Sequence, residues 1–202
     1  MKHPSTRAVY EYWMKRKGSR PAPERGDIDP TEIRHALGDT FMLAADFVDQ
    51  LRFRLAGTRV CALFCREIKG EAFDEIWNIE CRKAVDALMT IVNDENAPVV
   101  AGVTAHTDEG GRAELEMLVL PLAHSGHARI RALGVLAPTV PPYWLGAQAV
   151  TGLEMTTVRH VGPEQKGRAA PRFGRATAGS RLRHGFVVYS GGRETPPGER
   201  TG

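Results

Sequence analysis

Cysteine is scarce in this chain: three residues in 202, at positions 61, 65 and 81. An odd number with no regular framework excludes a disulfide scaffold and leads us to expect a cytoplasmic protein, where thiols stay reduced. Long apolar runs are missing too. Nothing approaches the ~20 apolar residues that cross a bilayer. The opening stretch MKHPSTRAVYEYWMKRKG lacks the uninterrupted apolar run of a secretory signal. There is no internal repeat, and no GxSxG nucleophile elbow. Gly110-Gly111 leads into a strand pattern, so it reads as a hairpin turn and not as a phosphate-binding loop.

What is present is an ordinary globular composition, 42% hydrophobic and 25% charged, enough to bury one core. Charge is divided unevenly. From Arg159 onward nine Lys and Arg face three Glu, which gives the tail +6 and leaves residues 1–158 at −3 of the overall +3. The body therefore carries no nucleic-acid footprint. The tail, residues 162–202, is rich in Gly, Pro, Ser, Thr and Arg, shows no core-forming period and reads as disordered. It is solubilising, or it holds nucleic acid or an anionic surface weakly; Phe173, Phe186 and Tyr189 are too scattered to make a stacking platform.

Hydrophobic periodicity places the elements. Val9, Tyr10, Trp13 and Met14 form one stripe of an amphipathic helix over residues 1–18 that stops at Gly18. DPTEIRHALG carries Asp29 as N-cap, Pro30 in the first turn, Glu32 to close a capping box and Gly38 as stop. TFMLAADFV and LRFRLA read as a hairpin turning at Asp49-Gln50, with Arg52 and Arg54 on a wet face. TRVCALFCREIKG is a short helical stretch. ECRKAVDALMTIV is the most regular helix, with Cys81, Val85, Leu88, Met89 and Val92 in phase. PVVAGVTAHT, AELEMLVLPLA and RIRALGVLAP read as a three-strand meander turning at DEGGR and HSGHA, and residues 148–161 hold a further short strand. The sum is an α+β domain over residues 19–147: a five-stranded antiparallel sheet with helices on one face, plus the N-terminal helix.

Helix, hairpin, short helices, long helix and meander is the chain order of a PAS domain. FRLAGT (53–58), LFCREIKGEAFDEIW (63–77), LEMLVLPL (115–122), YEYW (10–13) and the stretch from RPAPERGDIDP to IRHALGDTFML resemble a family of small alphaproteobacterial PAS-like proteins, over roughly residues 8–147. One departure is Cys65, where the resemblance leads us to expect glycine. The resemblance implies a sensory or interaction module that reads a ligand or partner and transmits through dimer contacts; with no output domain in sight, it would signal by touching another protein.

The candidate sites follow. Cys61 and Cys65 lie four apart, but zinc needs four ligands and no second close pair exists, so packing is the expected role. Flavin-trapping relatives use a cysteine three residues after the glycine closing the short-helix segment; here that position is Phe73, and Cys81 lies eleven residues after Gly70. Haem-binding relatives use a histidine of the long helix, and residues 79–92 contain none. Haem, a flavin adduct and zinc are therefore not expected. His124 and His127 flank a turn and should face water. Glu114 and Glu116 share one side of a strand, could do acid/base work, and have Arg52, Arg54, Arg129 and Arg131 as natural partners. Phe53, Phe64, Phe73, Trp77, Leu88, Met89, Leu118 and Leu120 should converge between long helix and sheet, as a solid core or around a small ligand. The N-terminal helix either caps the sheet or pairs with a second copy in a homodimer. Two readings lead: a non-enzymatic module acting by protein contacts, and a small-molecule sensor. An enzyme built on Glu114, Glu116 and a histidine is the third.

Overall fold

A computed structural model describes residues 1–123 and 131–161, and the backbone of two short strands further on. Helix α1 spans Pro4–Lys17. It starts because His3 accepts the Ser5 N–H and Pro4 occupies the first turn; it stops at Gly18, whose φ of 56° few side chains tolerate. Three short 3₁₀ turns lead to β1 (Thr40–Ala45) and β2 (Leu51–Ala56). The segment after Asp29 is such a turn, not an α-helix. Asp29 caps it by accepting from Thr31, but Glu32 turns away to Lys15 and Arg16 of α1. The reciprocal capping box lies one turn earlier, between Glu24 and Asp27.

Helices α2 (Thr58–Phe64) and α3 (Arg82–Asp94) follow, then β3 (Val99–Thr107), β4 (Arg112–Pro121), β5 (Arg131–Pro138) and β6 (Val150–His160). All neighbours are antiparallel, in the order β2-β1-β5-β4-β3-β6. The sheet thus has six strands where the sequence pattern suggested five, because β6 is a full-length strand on the outer edge of β3. The HSGHA turn with His124, His127 and Arg129 lies outside the described residues. So does the basic tail, except for the paired backbones of β7 (Arg181–Arg183) and β8 (Phe186–Val188), which sequence periodicity did not announce.

Sheet edges expose unpaired backbone groups and need covering. Here one segment serves both edges. Gly70, Glu71 and Phe73 exchange backbone hydrogen bonds with Leu51 and Phe53 of β2. A few residues on, Ile76 accepts from Leu153 of β6, and Asn78 donates back to it. The sheet is drawn into a trough with this strap across its mouth. The trough is filled by one core cluster, and a second cluster lies between the other face and α1. Within the trough the Phe41 ring lies across Gly134, its partner on β5. A methyl group at Gly134 would sit inside that ring's contact radius.

Candidate functional site

The trough interior holds five of the six residues expected to line a pocket. Phe53, Phe64, Phe73, Trp77 and Met89 are all at most 3% exposed and belong to one cluster with Leu88. Their rings fill it by contact. Phe73 lies 5.9 Å from Phe41, 5.6 Å from Phe53 and 5.9 Å from Trp77, the last two edge-on. What space remains is a cleft of about 140 Å³ at the strap, between Asp49, Gln50, Leu51, Phe73, Asp74, Val85, Asp86 and Met89. One polar group stands out in this interior. The indole N–H of Trp77 is buried with no hydrogen-bond partner among the described residues.

Leu118 does not join them. Side chains alternate along a strand, and on β4 it is Leu115, Met117 and Val119 that enter the trough. Leu118 and Leu120 point the other way, into the cluster under α1. The run Met117–Leu120 is apolar on both faces because both faces are buried. Its composition therefore could not tell which parity faces which helix.

The same parity moves Glu116 from an expected wet face into the molecule. It is 4% exposed, beneath the chain start. Its carboxylate accepts from the backbone N–H groups of Lys2 (2.7 and 2.9 Å) and His3 (2.9 Å). Burial pushes this carboxyl up, but the N–H donors of His3 and Lys2 and the charge of the chain's amino terminus help to bring its pKa below the ordinary carboxylate value. A second buried carboxylate, Asp39, sits at the same helix end. It accepts from Ser5 Oγ at 2.5 Å and from Arg59 at 2.6 and 2.8 Å. Here too burial raises the pKa, and the Arg59 and Ser5 hydrogen bonds with the charge of Arg59 bring it below normal. At the far end of α1, Trp13 Nε1 donates to the Pro121 carbonyl at 2.8 Å. Val9 and Trp13 are fully buried against β4 and β5, while Tyr10 and Met14 stay half-buried. Within a single chain the helix thus caps the sheet.

Glu114 remains exposed and meets Arg112 at 3.0 Å and Thr104 at 3.1 Å. None of the arginines expected as carboxylate partners reaches Glu114 or Glu116 among the described residues; Arg52 pairs with Asp46 instead. One glutamate is clamped and ionised and the other solvated, so the two form no acid/base pair. The thiols divide in the same manner. Cys61 is partly buried, and burial together with nearby Glu67 pushes its thiol up, which suits packing. Cys81 accepts the Met155 N–H at 3.5 Å. Cys65 is exposed and does not pack. It closes α2 with φ 52° and ψ 24°, the left-handed conformation that glycine adopts most cheaply. The glycine expected there thus answers a backbone demand, not tight packing. His106 lies 3.4 Å from Glu154 on the surface, and no cluster of metal-ligating side chains occurs among the described residues.

A larger hollow lies elsewhere. At the end of the sheet where β4 leaves and β5 enters, a cavity of about 380 Å³ opens between Arg20–Glu24, the end of α3 and the strand termini. No sequence motif marked it, or the clamps at Glu116 and Asp39. All are assembled from segments far apart in the chain.

With this geometry in place, comparison with known proteins gives the class. A protein-family model described as PAS domain matches residues 1–137, more than half of the chain. The protein belongs to the PAS domain family, a family of sensory and signalling modules. Strand β6 lies beyond that match. Among solved structures, the chain is similar to the PAS domain of a protein from Colwellia psychrerythraea, with 12% identity and a TM-score of 0.38, over 55% of this chain and 97% of that one. No curated protein matches. No helix among the described residues is long and apolar enough to cross a membrane.

Proposed function

We propose that this protein is a cytosolic, non-enzymatic PAS module that regulates another protein by direct contact, with α1 on the sheet as the element a partner senses. The carrying observation is how the trough is filled. Four aromatic rings in mutual contact occupy it, so its stability needs no cofactor there. The other face is closed by a helix held at a few nameable points: Trp13 to Pro121, Ser5 to Asp39, and the chain start to Glu116. Moving this cover would break those bonds and uncover Val9 and Trp13 while leaving the trough packed. A homodimer through α1 would use Tyr10 and Met14, since Val9 and Trp13 are already spent within the chain. The basic tail adds a second, electrostatic contact for an acidic partner surface.

One observation favours the sensor reading: the unpartnered Trp77 N–H is a hydrogen-bond donor waiting inside an apolar trough. The cleft of about 140 Å³ is not lined by Trp77 and is well below the ~300 Å³ of ordinary small-molecule sites, so a ligand accepting from that N–H would have to displace packed side chains. Native mass spectrometry with an absorbance scan of the gently purified chain separates the two readings. The contact reading expects polypeptide mass alone, as monomer or dimer. A small molecule co-purifying in one-to-one ratio sinks it in favour of the sensor.

A further inference from the structure

We infer that the cavity at the end of the sheet is a binding site for a small organic anion, a carboxylate or phosphate group carried on a compact apolar body. It is separate from the trough, sharing no residue with the cleft at the strap. Its volume, about 380 Å³, lies within the ~300–1,000 Å³ of small-molecule sites. The walls are fixed by backbone bonds. Ala123 donates to Pro23 at 2.8 Å, Leu122 donates to Arg131 at 3.0 Å, and Ala44 pairs with Arg131 across the sheet. Pro21, Ala22, Pro121, Leu122 and Ala123 supply an apolar floor.

The polar groups around that floor select the charge. Arg131, half-buried, makes no ion pair with a described residue, and the carboxamides of Asn93 and Asn96 have no described hydrogen-bond partner. All three can donate, and a guanidinium matches a carboxylate or phosphate with two parallel bonds. Arg20 adds a second positive charge on the rim, although Asp27 at 2.7 Å partly neutralises it. The one lining carboxylate, Glu24, is exposed and sits at the start of the 3₁₀ turn at Arg25–Asp27, where its charge opposes an anion at the rim but not at Arg131 on β5. With Arg20 balanced by Asp27, a cationic ligand would face the guanidinium of Arg131, unpaired among the described residues. A neutral apolar one would leave three polar side chains unused.

Amide chemical shifts of the full-length chain, titrated with benzoate, phenyl phosphate and neutral benzyl alcohol, test this. At least one anion should saturate one-to-one, moving signals of residues 20–24, 93–96 and 121–123, and benzyl alcohol should bind about tenfold more weakly or worse. Which anion binds tells carboxylate from phosphate. Arg131→Gln should weaken binding about ten- to a hundredfold, the value of a hydrogen bond to a charged group. Asn93→Asp should weaken it likewise by repulsion, while Arg54→Gln on remote β2 should change nothing. The inference is overturned if benzyl alcohol binds as well as the anions, if Arg131→Gln binds unchanged, or if the shifts centre on Phe73 and Met89.

Discussion

The two faces of the sheet are both buried, but they are held by different physics. Toward α2 and α3 the contact is apolar except for the Trp77 indole N–H: Phe41, Phe53, Phe73 and Trp77 against Val85, Leu88, Met89 and Val92. Toward α1 an apolar band of Val9, Trp13, Leu118, Leu120, Leu133 and Val135 is bordered by two buried carboxylates. Hydrophobic burial is strong and non-directional, so it holds a core together without fixing one arrangement. A charge-assisted hydrogen bond is directional and costly to leave unmade, so it fixes one seating of the helix. Apolar burial holds both faces, and the α1 face adds directional bonds that fix how the helix is seated.

Substitutions on each face test this contrast. The largest effect is expected for Trp77→Ala, which empties the trough beneath the strap and should cost about 3–5 kcal/mol in urea unfolding. A neutral result would put the stability elsewhere. Asp39→Asn should cost less, about 2 kcal/mol, because it weakens bonds to Ser5 and half-exposed Arg59; proteolysis should then reach the N-terminal segment before α3. Acidification should act on the same face. Glu116 and Asp39 have folded pKa values below their unfolded ones. Their contribution is therefore complete above the ordinary carboxylate pKa, about 4, and is lost as pH falls through the lower folded values. Trp fluorescence should report Trp13 loosening in that window while the trough persists; simultaneous loss of both faces would erase the distinction. The smallest effect is a gain. Cys65→Gly relieves a left-handed non-glycine residue and should stabilise by about 1 kcal/mol. A loss there would give the Cys65 side chain a role that its exposure does not reveal.

Much of this fold was legible beforehand because it rests on local signals. The helical phase of Val85, Leu88, Met89 and Val92, the turn at DEGGR and the stripe of Val9 and Trp13 each declare themselves within a few residues. The convergence of Phe53, Phe64, Phe73 and Trp77 in one buried cluster was legible for the same reason. Leu118 was not, because a strand buried on both sides hides its parity. Glu116 looked solvated beside Glu114, since the groups that bury it, Lys2 and His3, lie more than a hundred residues away. The strap covering both sheet edges, the Asp39–Arg59 clamp and the cavity at Arg131 are long-range assemblies of the same kind. Cys65 was marked as a departure from its relatives, but only its φ of 52° reveals what the missing glycine did.

Amide hydrogen exchange of Glu116→Gln beside the unaltered protein probes the helix cover most directly. Residues 2–17 should exchange about tenfold faster or more, as expected for losing at least about 1.4 kcal/mol of local hold, while α3 and the trough strands keep their protection. Equal acceleration of α1 and α3 would mean that the helix is an inseparable part of one core, and the account of a movable cover would be contradicted.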